Sequence, residues 1–238
     1  MRIRRASQLA LLAILVSASG GVMVACEKGM PTLTPAETKE GWKLLFDGKS
    51  LSGWQGYKGR PTAGWKAADG VLIRDGAGSD LVTTEQFGDF ELRLEWKLAA
   101  EGGNSGIFFH VTDEGEEAWH SGPEFQVLDN AGHKDGANPL TSAGSNYAVH
   151  APARDVTKPV GEWNSVRLIV RGPHVEHWMN DVKLLEYELW SPDWAARVKA
   201  SKFNEIPLYG KAKSGRIGLQ DHGDVVSYRN IRIRPLED

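Results

Sequence analysis

The chain has 238 residues, 41% of them hydrophobic, and a formal charge of −3 from 28 basic and 31 acidic side chains. That length suffices for one domain with a sizeable buried core, and the scattered Lys and Arg residues exclude the basic stripe that a nucleic-acid partner needs. Twenty-seven glycines and nine tryptophans suit a turn-rich β protein that handles flat, hydroxylated ligands by stacking.

Residues 1–25 read as an export signal. Met1, Arg2, Arg4 and Arg5 open a basic segment, Leu9 to Val16 form an apolar run too short to span a bilayer, and small residues follow. The single cysteine, Cys26, comes directly after Met23, Val24 and Ala25, so the segment resembles a bacterial lipoprotein signal in which that cysteine is lipidated. A plain secretory signal would leave an unpaired thiol in an oxidising compartment. The expectation is therefore an exported protein anchored to a membrane through Cys26. Residues 26–40, with Pro31 and Pro35, read as a tether, and 41–238 as one domain without repeat or linker.

Within that domain Phe90, Leu92, Leu94, Trp96 and Leu98 alternate with Glu91, Arg93, Glu95 and Lys97, which predicts a strand with one buried face. Further strands are expected over 105–111, 124–128, 165–171, 175–179, 182–189 and 225–234. Asn180-Asp181 marks a hairpin turn between two of them, and a bulge is expected near Arg229 and Asn230, where the buried parity changes. One helix is persuasive: Ser191 is an N-cap, Pro192 sits at the first helical position and Asp193 near the positive end of the helix dipole. Many short strands, Gly-rich turns and one short helix predict an all-β sandwich of two antiparallel sheets, of the jelly-roll kind.

Familiar catalytic motifs are absent: no phosphate-binding loop, no Gly-x-Ser-x-Gly, no His-Glu-x-x-His and no paired cysteines. His174 and His177, three apart in a strand, fall on opposite faces and make a poor metal pair. Three segments do converge. Strand parity sets Asn104, Phe108 and His110 opposite Ile107 and Phe109; it leaves Glu124 and Gln126 side by side away from Phe125 and Val127; and it sets Gln220 and His222 opposite Ile217 and Leu219. If these strands share a sheet, Asn104, His110, Glu124, Gln126, Gln220 and His222 line one face, with Arg167 as a possible addition. Asp221 is turned away from that face by the same parity. Each polar pair alone is what any solvent face offers; their recurrence at one parity in three strands is not.

The segments Asn104 to Phe108, Glu124 to Asp129, Gly161 to Asn164, Val175 to Asn180, Ser201 to Phe203 and Gly215 to Ile231, together with Phe46 to Trp54, resemble the 3-keto-disaccharide hydrolase family over nearly the whole of 41–236. One departure is Asp181, where the family usually has glycine; it touches turn geometry, not chemistry. The resemblance implies a concanavalin-like or jelly-roll sandwich, bacterial export, and cleavage of glycosides oxidised at C3 of the sugar. A 3-keto group acidifies the C2 proton, so a base can remove it and expel the C1 substituent, after which water adds back. On that implication Glu124 and His222 are the acid and base pair, with the assignment of each open. Asn104, Gln126 and Gln220 hold hydroxyls or the enolate, and Lys202, His110 and Arg167 are further candidates. Trp119 either stacks on a sugar ring or anchors its loop. A divalent ion on Glu124, Asp129 or a histidine would polarise the carbonyl; the residues leave its presence open. The rival reading is a non-catalytic carbohydrate-binding module on the same sandwich, which needs aromatic platforms and amides but no acid and base pair.

Overall fold

The computed structural model describes residues 29–237. Its frame is two antiparallel sheets packed face to face. The large sheet runs in the order β11 (Val182–Glu188), β10 (His174–Met179), β9 (Asn164–Arg171), β6 (Phe90–Leu98), β13 (Val226–Pro235), β4 (Val71–Arg74), β3 (Trp65–Ala68), with β1 (Lys43–Leu44) paired to β13. The small sheet runs β2 (Trp54–Gly56), β5 (Leu81–Thr83), β12 (Arg216–Leu219), β7 (Asn104–Val111), β8 (Glu124–Leu128). This is the jelly-roll sandwich the composition predicted.

The alternation in β6 does what it promised. Phe90, Leu92, Leu94, Trp96 and Leu98 are buried, and they meet Ile107, Phe109, Phe125, Val127, Ile217 and Leu219 from the small sheet in one core. Burial of each such side chain contributes roughly 1.5–3 kcal/mol. The opposite face of β6 is less simple than a solvent face: Glu91 is 2% exposed because Arg93, Arg167 and Arg234 close over it at 2.7 Å each.

Local signals were obeyed at the turns. Asn180 and Asp181 both take positive φ, 50° and 64°, as a tight hairpin with right-handed strand twist requires. Asn180 is fixed there because its side chain accepts from the Ser165 N–H and donates to Val156 and Asn164. The expected bulge in β13 lies between Arg229 and Arg232, with Asn230 at φ 54°. The expected helix is α2 (Pro192–Ala200), capped by Ser191, whose hydroxyl accepts from the Trp194 N–H.

The described part of the expected tether is more structured than two prolines suggested. Thr34 and Glu37 form a reciprocal capping box on α1 (Pro35–Lys39), and Glu37 pairs with Arg232 of β13 at 2.5 Å. That stretch packs against the sandwich. The proposed signal and Cys26 lie outside the described residues. The short strands β1 to β5, two to four residues each, are too brief for a period to declare itself, and none was expected.

Candidate active site

The outer face of the small sheet is built row by row. Gly218 pairs with both Val82 and Phe108, and Phe108 pairs with Glu124, so Val82, Gly218, Phe108 and Glu124 form one row across four strands. Leu81 pairs with Leu219, so the same register carried one residue further sets Asp80, just before β5, level with Gln220; the Gln220 N–H donates to the Gly106 carbonyl at 2.9 Å, and Gly106 pairs with Gln126. Asn104 and His222 make the third. These rows bring Asn104, Glu124, Gln126, Gln220 and His222 onto one face, five of the six residues expected there, with His110 missing.

Glycine makes the floor. A Cβ on Gly106 would lie 2.3 Å from Glu124 Oε1, so the carboxyl leans over this residue and only glycine leaves it room. At Gly218 a Cβ would meet the Phe108 ring at 3.2 Å. Tyr57, Val82, Phe108, Val111 and Ala118 form a second, smaller apolar cluster at one end of the face, and Trp119 packs on it.

The polar groups on this floor are poorly satisfied by the protein itself. Asn104 donates through Nδ2 to His222 Nε2 at 3.3 Å, and Gln126 donates through Nε2 to the Thr141 carbonyl at 3.2 Å. Yet Asn104 Oδ1, Gln126 Oε1 and Gln220 Oε1 are buried without a protein partner. Such orphans cost on the order of 1–3 kcal/mol each, and three clustered beside a buried carboxyl mark a place shaped for a hydrogen-bonding ligand.

Glu124 is 5% exposed, and its burial pushes the carboxyl up to about 8, against the pull of the Lys202 ammonium and with the Asp80 charge adding to the rise. Burial thus favours the neutral form of this carboxyl. Lys202 is delivered by α2: the helix ends at Ser201, whose hydroxyl accepts from the Phe203 N–H at 3.1 Å, and Phe203 stacks on Tyr209 at 3.8 Å. The Lys202 ammonium then sits over the rings of Tyr147, Phe203 and Trp119 at 4.2, 5.1 and 5.6 Å. Burial there lowers its pKa, while Glu124 and Asp135 oppose the shift. Trp119 thus serves as one wall of the Lys202 cage, edge-on to His120 at 4.2 Å.

His110 does not join the face. The pairing of β7 with β12 slips between Arg216 and Gly218, and His110 takes φ 52° at that bulge. The slip turns the imidazole inward, where Nε2 donates to the Gly88 carbonyl at 2.9 Å and the ring lies edge-on to Phe90 and Phe109. Arg167 belongs to the large sheet, on its outer face, bonded to Glu91 at 2.7 Å and set over Trp178. It lies across the sandwich from Glu124. Asp129 is five residues beyond Glu124, roughly 16 Å along an extended chain, and its carboxylate is spent on the Gly102 and Ala131 N–H groups. Glu124 and Asp129 cannot share an ion.

Among the described residues, the cluster close enough to grip a metal is His174, Glu176 and Glu186, on the β10–β11 hairpin and far from this floor. Lys183 already pairs with both of its carboxylates, at 3.8 Å from Glu176 and 2.7 Å from Glu186. His177 is a core residue, stacked on Phe125 at 4.8 Å.

Two residues of the site escaped the sequence. Tyr147 walls the Lys202 cage from a loop without periodicity. Asp80 accepts from the Asp221 N–H at 2.8 Å; burial pushes it up to about 6, the Asp221 N–H pulls it down, and the Glu117 and Asp221 charges raise it again. Asp221 itself faces the large sheet, as parity predicted, and pairs with Arg74 at 2.5 Å, their side chains 8% and 7% exposed.

A buried carboxyl set among unpartnered amide oxygens on a jelly-roll floor is consistent with a glycosyl-hydrolase-like enzyme. A model of the 3-keto-alpha-glucoside-1,2-lyase-like domain matches residues 41–234, and a 3-keto-disaccharide hydrolase of Bacteroides thetaiotaomicron is 37% identical over 83% of this chain and 79% of its own. The chain belongs to the 3-keto-disaccharide hydrolase family. The crystal structure of a candidate glycosyl hydrolase from Parabacteroides distasonis superposes with a TM-score of 0.82 at 34% identity, covering 87% of this chain and all of that one. A carbohydrate-binding module from Bacillus subtilis, 12% identical with a TM-score of 0.50 over 76% of this chain and 95% of its own, shares the fold alone.

Proposed function

We propose that this protein cleaves 3-keto-glycosides by removal of the C2 proton, elimination of the C1 substituent and rehydration of the resulting double bond. The observation that carries the reading is Glu124: a carboxyl buried over a glycine floor, kept protonated to about pH 8, beside amide oxygens with no protein partner. Elimination requires a proton for the departing C1 oxygen, and a neutral carboxyl supplies it. Asn104, Gln126 and Gln220 take sugar hydroxyls. The Lys202 ammonium faces the charge that develops on the 3-oxygen as the enolate forms. His222 stands on the exposed rim, where it can relay the proton of the water that adds back.

The name of the Bacteroides relative and the family's lyase-like description both support a substrate of this class. The test is release of glucose or aglycone from a 3-keto-glucoside. Wild type should turn over, and Glu124→Gln should lose about 10²–10⁴-fold. Binding without turnover in wild type would refute the enzyme and favour the binding-module reading. Repeating the assay after chelation measures any metal requirement. We also propose export and lipid attachment at Cys26, on the pattern of residues 1–26; Cys26→Ser should then leave the membrane fraction.

A further inference from the structure

We propose that Asp80 is the base that removes the C2 proton, working across the glycine floor from Glu124. The inference rests on the reading above and completes it, because an acid alone cannot start the elimination. Asp80 occupies the same row as Gln220 and Gly106, and Glu124 leans over Gly106. Two strand spacings separate Asp80 from Gly106, about 10 Å between backbone positions. The two strands between the carboxyls bring the Gln220 side chain, the bare backbone of Gly106 and Gly218, and the Phe108 ring, which with Val82 crowds Gly218. A single sugar ring laid on that floor presents C2 to one carboxyl and the C1 oxygen to the other.

The carboxylate is aimed with some effort. The Asp221 N–H holds Asp80 at 2.8 Å, and Asp221 is clamped in turn by Arg74 in a buried ion pair. Arg74 also donates to the Asp224 carbonyl, and Asp224 receives the Asn104 N–H at 3.1 Å. One cation therefore locks the turn that carries Asp80's anchor, His222 and the Asn104 contact. Among the described residues no Lys or Arg nitrogen lies within 4.0 Å of the Asp80 carboxylate; Arg60, whose charge reaches it, is engaged by Glu117 at 2.8 Å. The groups whose charges act on Asp80 or feel its own are Glu117, Asp221, Arg60, Tyr57, Glu124 and Tyr228. A half-buried carboxylate without a cation is a poor structural element and a good base. Two carboxyls whose environments separate their pKa values, about 6 and about 8, divide the roles of base and acid between them.

The steps balance. Asp80 takes the C2 proton and the C–H pair enters the enolate. That pair then forms the C1–C2 double bond as the C3 carbonyl returns, the C1–O bond breaks, and Glu124 protonates the departing oxygen. Water adds its oxygen to C1, Asp80 returns its proton to C2, and the water's second proton restores Glu124.

Proton abstraction can be read apart from elimination with 1,5-anhydro-3-keto-glucitol, which has no group to expel at C1. Its C2 hydrogen should exchange with D2O in the presence of wild type, followed by NMR, with a rate that rises with pH through about 6 as Asp80 ionises. Asp80→Asn should slow exchange by about 10²-fold or more, while Glu124→Gln lowers cleavage far more than exchange. Asn keeps an oxygen for the Asp221 N–H, and thermal melts with binding of the analogue verify its fold. Exchange in Asp80→Asn at the wild-type rate overturns the assignment and leaves the functional reading standing. A wild type that exchanges nothing overturns both. Should the variant not fold, the wild-type profile decides: a rate flat between pH 5 and 7 overturns the assignment, and a rise through that range supports it.

Discussion

The buried acid can be weighed by its effect on folding. Glu124 rises from its ordinary 4.5 to about 8 in the folded protein, chiefly through burial. Between those values the native state keeps a proton that the unfolded chain has released, so stability falls as pH rises through the window and levels off above it. At 1.36 kcal/mol per unit the full span amounts to about 5 kcal/mol, a ceiling because Lys202 shares the local proton balance. Glu124→Gln keeps the shape and cannot ionise. Urea unfolding of both proteins between pH 5 and 9 should show the variant gaining on wild type by several kcal/mol as pH rises to about 8, with constant separation beyond. Curves that stay parallel across the whole range would mean that Glu124 ionises normally, and the neutral-acid argument would collapse with it.

Gly106→Ala places a methyl 2.3 Å from Glu124 Oε1; stability should drop by about 1–3 kcal/mol while kcat/KM for the keto-glycoside falls at least tenfold, and unchanged kcat/KM would contradict the floor. Arg74→Met strands the buried Asp221 charge, and urea denaturation should register a loss of about 3–5 kcal/mol. Asp181→Gly relieves a positive φ of 64° in the β10–β11 hairpin; a gain of about 0.5–1 kcal/mol is expected by thermal melting, and a loss would show that the Asp181 side chain contributes to the turn.

Period-two patterning made β6 and the polar positions of three small-sheet segments legible, because alternation is a local property that survives into the folded sheet. His110 was misplaced for a reason no pattern carries: a bulge against β12 puts a non-glycine residue at φ 52° and reverses its facing. Arg167 was misplaced because parity says which way a side chain points within a strand and nothing about which sheet the strand joins. Asp80 stayed hidden because β5 has three residues, too few for a period, and its position follows from pairing with a strand far later in the chain, Leu81 opposite Leu219 and Val82 opposite Gly218. Lys202 became visible through family resemblance alone; its placement depends on the stack of Phe203 and Tyr209 beyond the end of α2. By contrast, α1 was announced by Thr34, Pro35 and Glu37, a capping box that the proline-rich context obscured.

Every residue of β7, from Asn104 to Val111, is buried, although only one side of that strand belongs to the core. The outer side is roofed by Glu124, the Tyr57 and Ala118 cluster and the turn at 221–224 before any ligand arrives. Amide protons along β7 should accordingly exchange on the timescale of global unfolding, while those flanking Lys202 and His222 exchange by local opening. Entry and departure of a sugar are then governed by the two rims, and variation in turnover among relatives should track their loops and leave the strand beneath unchanged.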